Sequence, residues 1–181
     1  VVEALKEGGH LDNTLVLFLS DNGACHEGGP LGGDWRNGEG GELGTVDSYE
    51  SYGRSWSNAS NTPFRLHKHW VHEGGISTPL IAHWPKRINN GGQITHQMGH
   101  IVDIMPTVGR NLMPVLAGGE REGHELFYWE HEDNCAIRNG RWKLVMEHGG
   151  DWELYDLEAD RTELNDISDS RLDVTGRLRT L

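Results

Sequence analysis

The 181 residues suffice for a domain of ordinary size with a real core. Twenty-eight acidic residues against 16 basic ones give a formal charge of −12, which argues against general nucleic-acid binding and suits metal cations. No apolar stretch approaches the ~20 residues of a membrane span, and the two cysteines, Cys25 and Cys135, lie far apart without metal-ligand spacing.

In chain order, Val1 to Lys6 reads as the tail of a helix stopped by Gly8 and Gly9. Opening in mid-helix, without an initiator Met, a signal peptide or a leading strand, the chain is read as a piece of a longer protein. Leu15 to Leu19 (LVLFL) is a continuous apolar run of strand length. It predicts a strand buried on both faces of a mostly parallel sheet. In open α/β sheets ligands gather beyond the carboxyl ends of the strands, where Ser20, Asp21, Asn22 and Gly23 follow. Gly28 to Gly44 is too rich in glycine for a regular helix or strand and predicts a long loop.

Residues 51 to 85 begin as a polar connecting segment that carries Pro63. Phe64 to Trp70 is read as a short helix closed by Gly74 and Gly75, and Thr78 to Trp84 as a strand with Pro79 at its edge. His100 to Thr107 (HIVDIMPT) reads as a strand end and a helix start, but Val108 is followed at once by Gly109, Arg110 and Asn111. From Leu126 short aromatic runs alternate with turn residues, which predicts an antiparallel meander with strands at 126–130, 135–138, 141–147 and 152–155. Asn139 and Gly140 form its clearest hairpin turn, and Glu163 onward reads as a terminal helix.

Few residues offer chemistry. Asp21 and Asn22 supply two hard oxygen donors suited to Ca²⁺ or Mg²⁺, with Gly23 turning the chain behind them; the same tripeptide also makes an ordinary tight turn. Lys68, shortly before Glu73-Gly74-Gly75, reads either as a point charge for a sulfate or phosphate oxygen or as a solvated surface lysine. His67, His69 and His72 crowd that segment, but their spacing puts them on mismatched faces of a strand or helix and argues against zinc. Glu73 reads as a residue that holds the turn through backbone hydrogen bonds. Gly-x-Ser-x-Gly, Walker and dinucleotide motifs do not occur, and Asn58-Ala59-Ser60 fits the glycosylation pattern.

Three stretches in order, NTLVLFLSDNG, TPFRLHKHWVHEGGISTPLIAHWP and HIVDIMPT, closely resemble the C-terminal half of type I sulfatases, the arylsulfatase family of the alkaline-phosphatase-like fold. LFYWEHEDNCAIRNGRWKLV and WELYDLEADRTELND resemble that family's C-terminal subdomain. The resemblance implies an α/β fold: part of a mostly parallel sheet with flanking helices in residues 1–119, then a small antiparallel sheet plus helix in 120–181. It implies that Asp21 and Asn22 complete the coordination of a Ca²⁺ ion, in preference to Mg²⁺, and that Lys68 contacts a sulfate oxygen. The implied substrate is a sulfate ester, a small molecule or a sulfated glycan, and many members of the family are exported.

The chain also departs from the family. Its nucleophile, a formylglycine made within Cys/Ser-x-Pro-x-Arg, has no counterpart here, since Cys25 precedes His26-Glu27 and Cys135 precedes Ala136-Ile137. The remaining metal aspartates and the upstream Lys and His are missing as well, so the isolated chain is expected to be inactive. Val108 spans what is a helix and a longer loop in relatives, which reads as an internal deletion. Two other readings stay open: a phosphodiester or phosphonate ester hydrolase of the same superfamily, and a non-catalytic remnant or binding module.

Overall fold

The computed structural model describes residues 1–34, 41–104 and 111–181. Val108 and the middle of the glycine-rich loop lie outside the described residues. The chain divides into two compact units, Val1–Asp21 with Pro79–His124, and Asn22–Thr78 with Glu125–Leu181. Among the described residues no helix is long and apolar enough to cross a membrane.

In the first unit, α1 (Val2–Glu7) ends where Gly9 adopts a left-handed φ of 69° and donates to the Lys6 carbonyl. β1 (Val16–Leu19) pairs antiparallel with β4 (Leu80–His83), Val16 opposite His83 and Leu19 opposite Leu80. The local expectation of a strand with parallel neighbours and both faces covered is corrected here. Phe18 is 71% exposed and its cross-strand partner Ile81 58%, because a two-stranded ribbon leaves a face without a covering layer. A 3₁₀ turn (Ile101–Ile104) follows in place of the strand end read at His100, and a short helix, α4 (Met113–Leu116), carries Pro114 in its first turn, where its missing N–H costs nothing. The buried Asp103 carboxylate binds Arg121 and His124, each at 2.8 Å.

In the second unit, β2 (Gly33–Asp34), a short strand inside the Gly28–Gly44 stretch expected to be a loop, pairs antiparallel with β3 (Glu50–Ser51) beyond it. α2 (Gly53–Asn61) forms where a connecting segment was expected, and residues 64–70 are not helical. Leu66 and His69 sit at φ 65° and 100°, left-handed values that interrupt a right-handed helix. Glu73–Ile76 then forms a single helical turn, α3, so Gly74 and Gly75 lie inside an element and do not end one.

The meander is as expected in order and position: β5 (Leu126–His131), β6 (Asn134–Asn139), β7 (Trp142–Met146) and β8 (Glu153–Asp156) form one antiparallel sheet. His131 faces Asn134 across a two-residue turn, Glu132-Asp133, with φ of 51° and 63° as the type I′ geometry requires. Asn139 faces Trp142, so the second turn is centred on Gly140 and Arg141, one residue later than read, with Gly140 at φ 58°.

Side chains alternate across the sheet, and each face has its own cluster. On one, Ala136, Val145 and Tyr155 pack with Val71 and Leu157; on the other, Ile137, Leu144 and Leu154 pack with Val174 and Leu178 of α5 (Leu172–Leu178). Leu144, Val145 and Leu154 are fully buried, each worth roughly 1.5–3 kcal/mol. The terminal helix is shorter than read from Glu163: turns occupy that stretch, with Asp160 accepting from the Leu164 and Asn165 amides and Glu163 at φ 57°.

Candidate functional site

The Asp-Asn-Gly turn straddles the boundary between the units, Asp21 closing the first and Asn22 opening the second. Within the second unit the chain after Asn22 is laced to the Lys68 segment by its backbone. Gly23 donates to the Gly75 carbonyl at 2.8 Å, and Lys68 donates to the Ala24 carbonyl at 3.0 Å. Ala24 donates to Asn61 Oδ1, whose amide nitrogen donates in turn to the Leu66 carbonyl, both at 2.9 Å. Asn61 at the end of α2 therefore clamps both segments.

Only glycine permits this approach. A Cβ on Gly23 would lie 1.8 Å from the Gly74 carbonyl oxygen, and one on Gly74 would lie 2.2 Å from the carbonyls of Arg65 and Leu66. The Gly-Gly after Glu73 is thus a packing requirement, and it fixes where Lys68 leaves the backbone. Lys68 is exposed, and among the described residues its ammonium forms no ion pair. It is a cation presented to solvent beside the Asn22-Gly23 turn.

Beneath the loop lies a buried polar layer. Lys143 of β7, fully buried, places its ammonium 3.1 Å from Glu73 Oε1 and 2.7 Å from Glu163 Oε1, and the Glu73 amide donates to Glu163 Oε2 at 2.6 Å. Burial alone would raise the Glu73 pKa, but the Lys143 charge and hydrogen bond outweigh it and hold the carboxyl below its ordinary value. At Glu163 burial prevails over the same lysine and the pKa goes up. Glu73 therefore does more than hold the turn by its backbone: its side chain ties the turn to the sheet.

A second bridge runs from Arg65 to Glu153 at 2.9 Å and to the Tyr155 hydroxyl at 2.8 Å, with His72 Nε2 3.1 Å from Glu153. Burial drives the His72 pKa down to about 4 despite that carboxylate. His67 stacks on His26 at 5.5 Å and meets the Ser57 hydroxyl at 2.9 Å. Burial lowers both imidazoles, helped by His26 and Arg54 at His67, and by His69 and Arg54 at His26. His67 and His72 are thus interior residues, while His69 faces the β5–β6 turn, 3.2 Å from Glu132. The three histidines do not converge.

Lys143 and Glu163 escaped the sequence reading. The one available signal was a lysine inside WKLVM, on the same face as Val145.

A sulfatase family model matches residues 1–112. An uncharacterized sulfatase of Schizosaccharomyces pombe is 30% identical over 98% of this chain and 38% of its own length. The human N-acetylgalactosamine-6-sulfatase is 29% identical over 79% of the chain and 25% of its own length. The alignment to the yeast protein extends over 221 residues, more than the 181 of this chain, so that protein carries residues with no counterpart here.

Among solved structures, a protein in complex with its substrate D-glucosamine-2-N,6-O-disulfate superposes with a TM-score of 0.65 at 20% identity, covering 99% of the chain and 35% of that protein. A phosphonate monoester hydrolase of Agrobacterium radiobacter gives 0.59 at 22%, over 98% and 36%. These likenesses show the fold, mixed α/β of the alkaline-phosphatase-like kind, and the chain spans well under half of each protein it matches. With the family model covering more than half of its residues, the chain belongs to the sulfatase family.

Proposed function

We propose that the chain is the C-terminal portion of a sulfate-ester hydrolase and that it supplies three groups to the active site: Asp21, Asn22 and Lys68. The observation that supports this reading is the backbone lacing, within the second unit, of the Gly23-Ala24 turn to the Lys68–Gly75 segment, which carries an exposed lysine. Lys68 would bind a sulfate oxygen and stabilise the charge that grows there as the S–O bond breaks.

The carboxylate of Asp21 and the amide oxygen of Asn22 fit Ca²⁺ by donor chemistry, but they are a small share of the ~6–8 oxygens it takes, so tight binding needs further sequence. When bound, the ion would offset negative charge on the ester. The nucleophile lies outside this sequence, and the isolated chain is inactive on this reading. At the level of the whole protein, residues 1–119 belong to the catalytic α/β domain and 120–181 to its C-terminal subdomain. The human relative and the disulfate complex favour a sulfated sugar as substrate. The phosphonate hydrolase neighbour supports a second reading in which the same cation and ammonium face a phosphonate ester.

The test uses the 181-residue chain and a form extended through the upstream coding sequence, each with Ca²⁺, on chromogenic aryl sulfate and aryl phosphonate esters. The expected result is sulfate hydrolysis by the extended form alone, reduced roughly 100-fold or more by Asp21→Ala or Lys68→Ala. A preference for the phosphonate would select the second reading, and activity unaffected by both substitutions would overturn the assigned roles.

A further inference from the structure

His69 and the turn that joins β5 to β6 come from distant parts of the second unit, and their side chains meet. His69 Nδ1 lies 3.2 Å from Glu132 Oε2. The rings of His69 and His131 stand 5.4 Å apart, nearly perpendicular at 84°. One ligand atom from each of the three side chains lies within 4.8 Å of the other two.

In a tetrahedral site with bonds of ~2.0–2.1 Å the ligand atoms are about 3.3 Å apart. The His69–Glu132 edge already has that spacing, and the exposed His131 and Glu132 can close the others by side-chain rotation. The backbone supports the arrangement. His69, at φ 100°, is set edge-on against Trp70 at 4.9 Å, and Glu132 is held by the type I′ turn at φ 51°.

Two imidazoles and one carboxylate are the donor set of zinc sites that keep a fourth position open. The two imidazoles are softer ligands than the oxygens of Asp21 and Asn22 and select a different class of ion. We propose that His69, His131 and Glu132 form a zinc-class transition-metal site that bridges the Lys68 loop to the β5–β6 hairpin. Because His69 follows Lys68 directly, an ion there restrains the loop that presents the ammonium. The site stands independently of the sulfatase reading, since binding needs no turnover.

Zinc chloride titrated into the full 181-residue chain, followed by calorimetry and by competition with a metallochromic dye, tests the proposal. The expected result is one equivalent bound, with affinity weakened at least roughly tenfold by each of His69→Ala, His131→Ala and Glu132→Gln, and unchanged by His96→Ala. His131 and Glu132 are exposed, so their variants keep the native circular dichroism spectrum and decide the question even if His69→Ala misfolds. Absence of saturable zinc uptake, or uptake indifferent to His131→Ala and Glu132→Gln, overturns it.

Discussion

The ammonium of Lys143 lies 2.7 Å from the carboxylate of Glu163, and neither side chain is reached by solvent. The same lysine serves Glu73 at 3.1 Å, so one cation in a sheet strand holds two carboxylates, one of them in the turn that follows Lys68. Removing the cation leaves charge buried without compensation, whereas removing a whole pair does not.

Lys143→Met is therefore expected to destabilise the chain by about 3–5 kcal/mol in urea unfolding. Adding Glu163→Gln to the same chain should recover part of that loss, a coupling that a double-mutant cycle measures directly. Purely additive effects would mean that the two side chains act separately.

His72 gives a pH dependence. Its folded pKa is lowered to about 4 from 6.5, chiefly by burial, with Lys143 and Arg65 adding to the effect against the raising influence of Glu153. Between these values the unfolded chain binds the proton more readily, so stability rises with pH across the window and falls as the solution is acidified from 6.5 towards 4. The loss attributable to this residue is on the order of 3 kcal/mol. Urea unfolding at a series of pH values should show the slope in the wild type and a flatter one in His72→Gln.

Gly23→Ala should fail where a comparable change elsewhere does not. The added methyl would sit 1.8 Å from the Gly74 carbonyl oxygen, a backbone atom with no freedom to rotate away. The expected cost is at least about 2 kcal/mol, with earlier proteolysis of the 61–78 segment. Gly91→Ala, where a Cβ meets nothing within 4 Å, should leave melting and proteolysis unchanged.

What the sequence revealed depended on range. The meander was legible because its punctuation is local: Glu-Asp and Asn-Gly mark reversals, and the runs between them have strand length. The ordered motifs around Asp21 and Lys68 pointed to the family for the same reason. The pairing of β1 was not legible, since LVLFL states only that the strand is apolar, and its partner lies more than sixty residues later at Leu80–His83. Phe64–Trp70 looked helical because nothing local announces that Leu66 and His69 take left-handed φ values; that choice is imposed by packing against Gly74 and Gly75. The partnership of Glu73 with Lys143 joins residues 70 apart in sequence, beyond any periodicity.

A lysine at the centre of a strand also gives the molecule a built-in chemical reporter. The sequence holds four lysines, and Lys6, Lys68 and Lys86 are exposed while Lys143 is fully enclosed. An amine-acylating reagent applied to the folded chain will modify the first three and leave the fourth untouched, and trypsin will likewise pass over the bond after it. Acylation at Lys143 then times the opening of the sheet itself, residue by mass, without a probe having to be introduced.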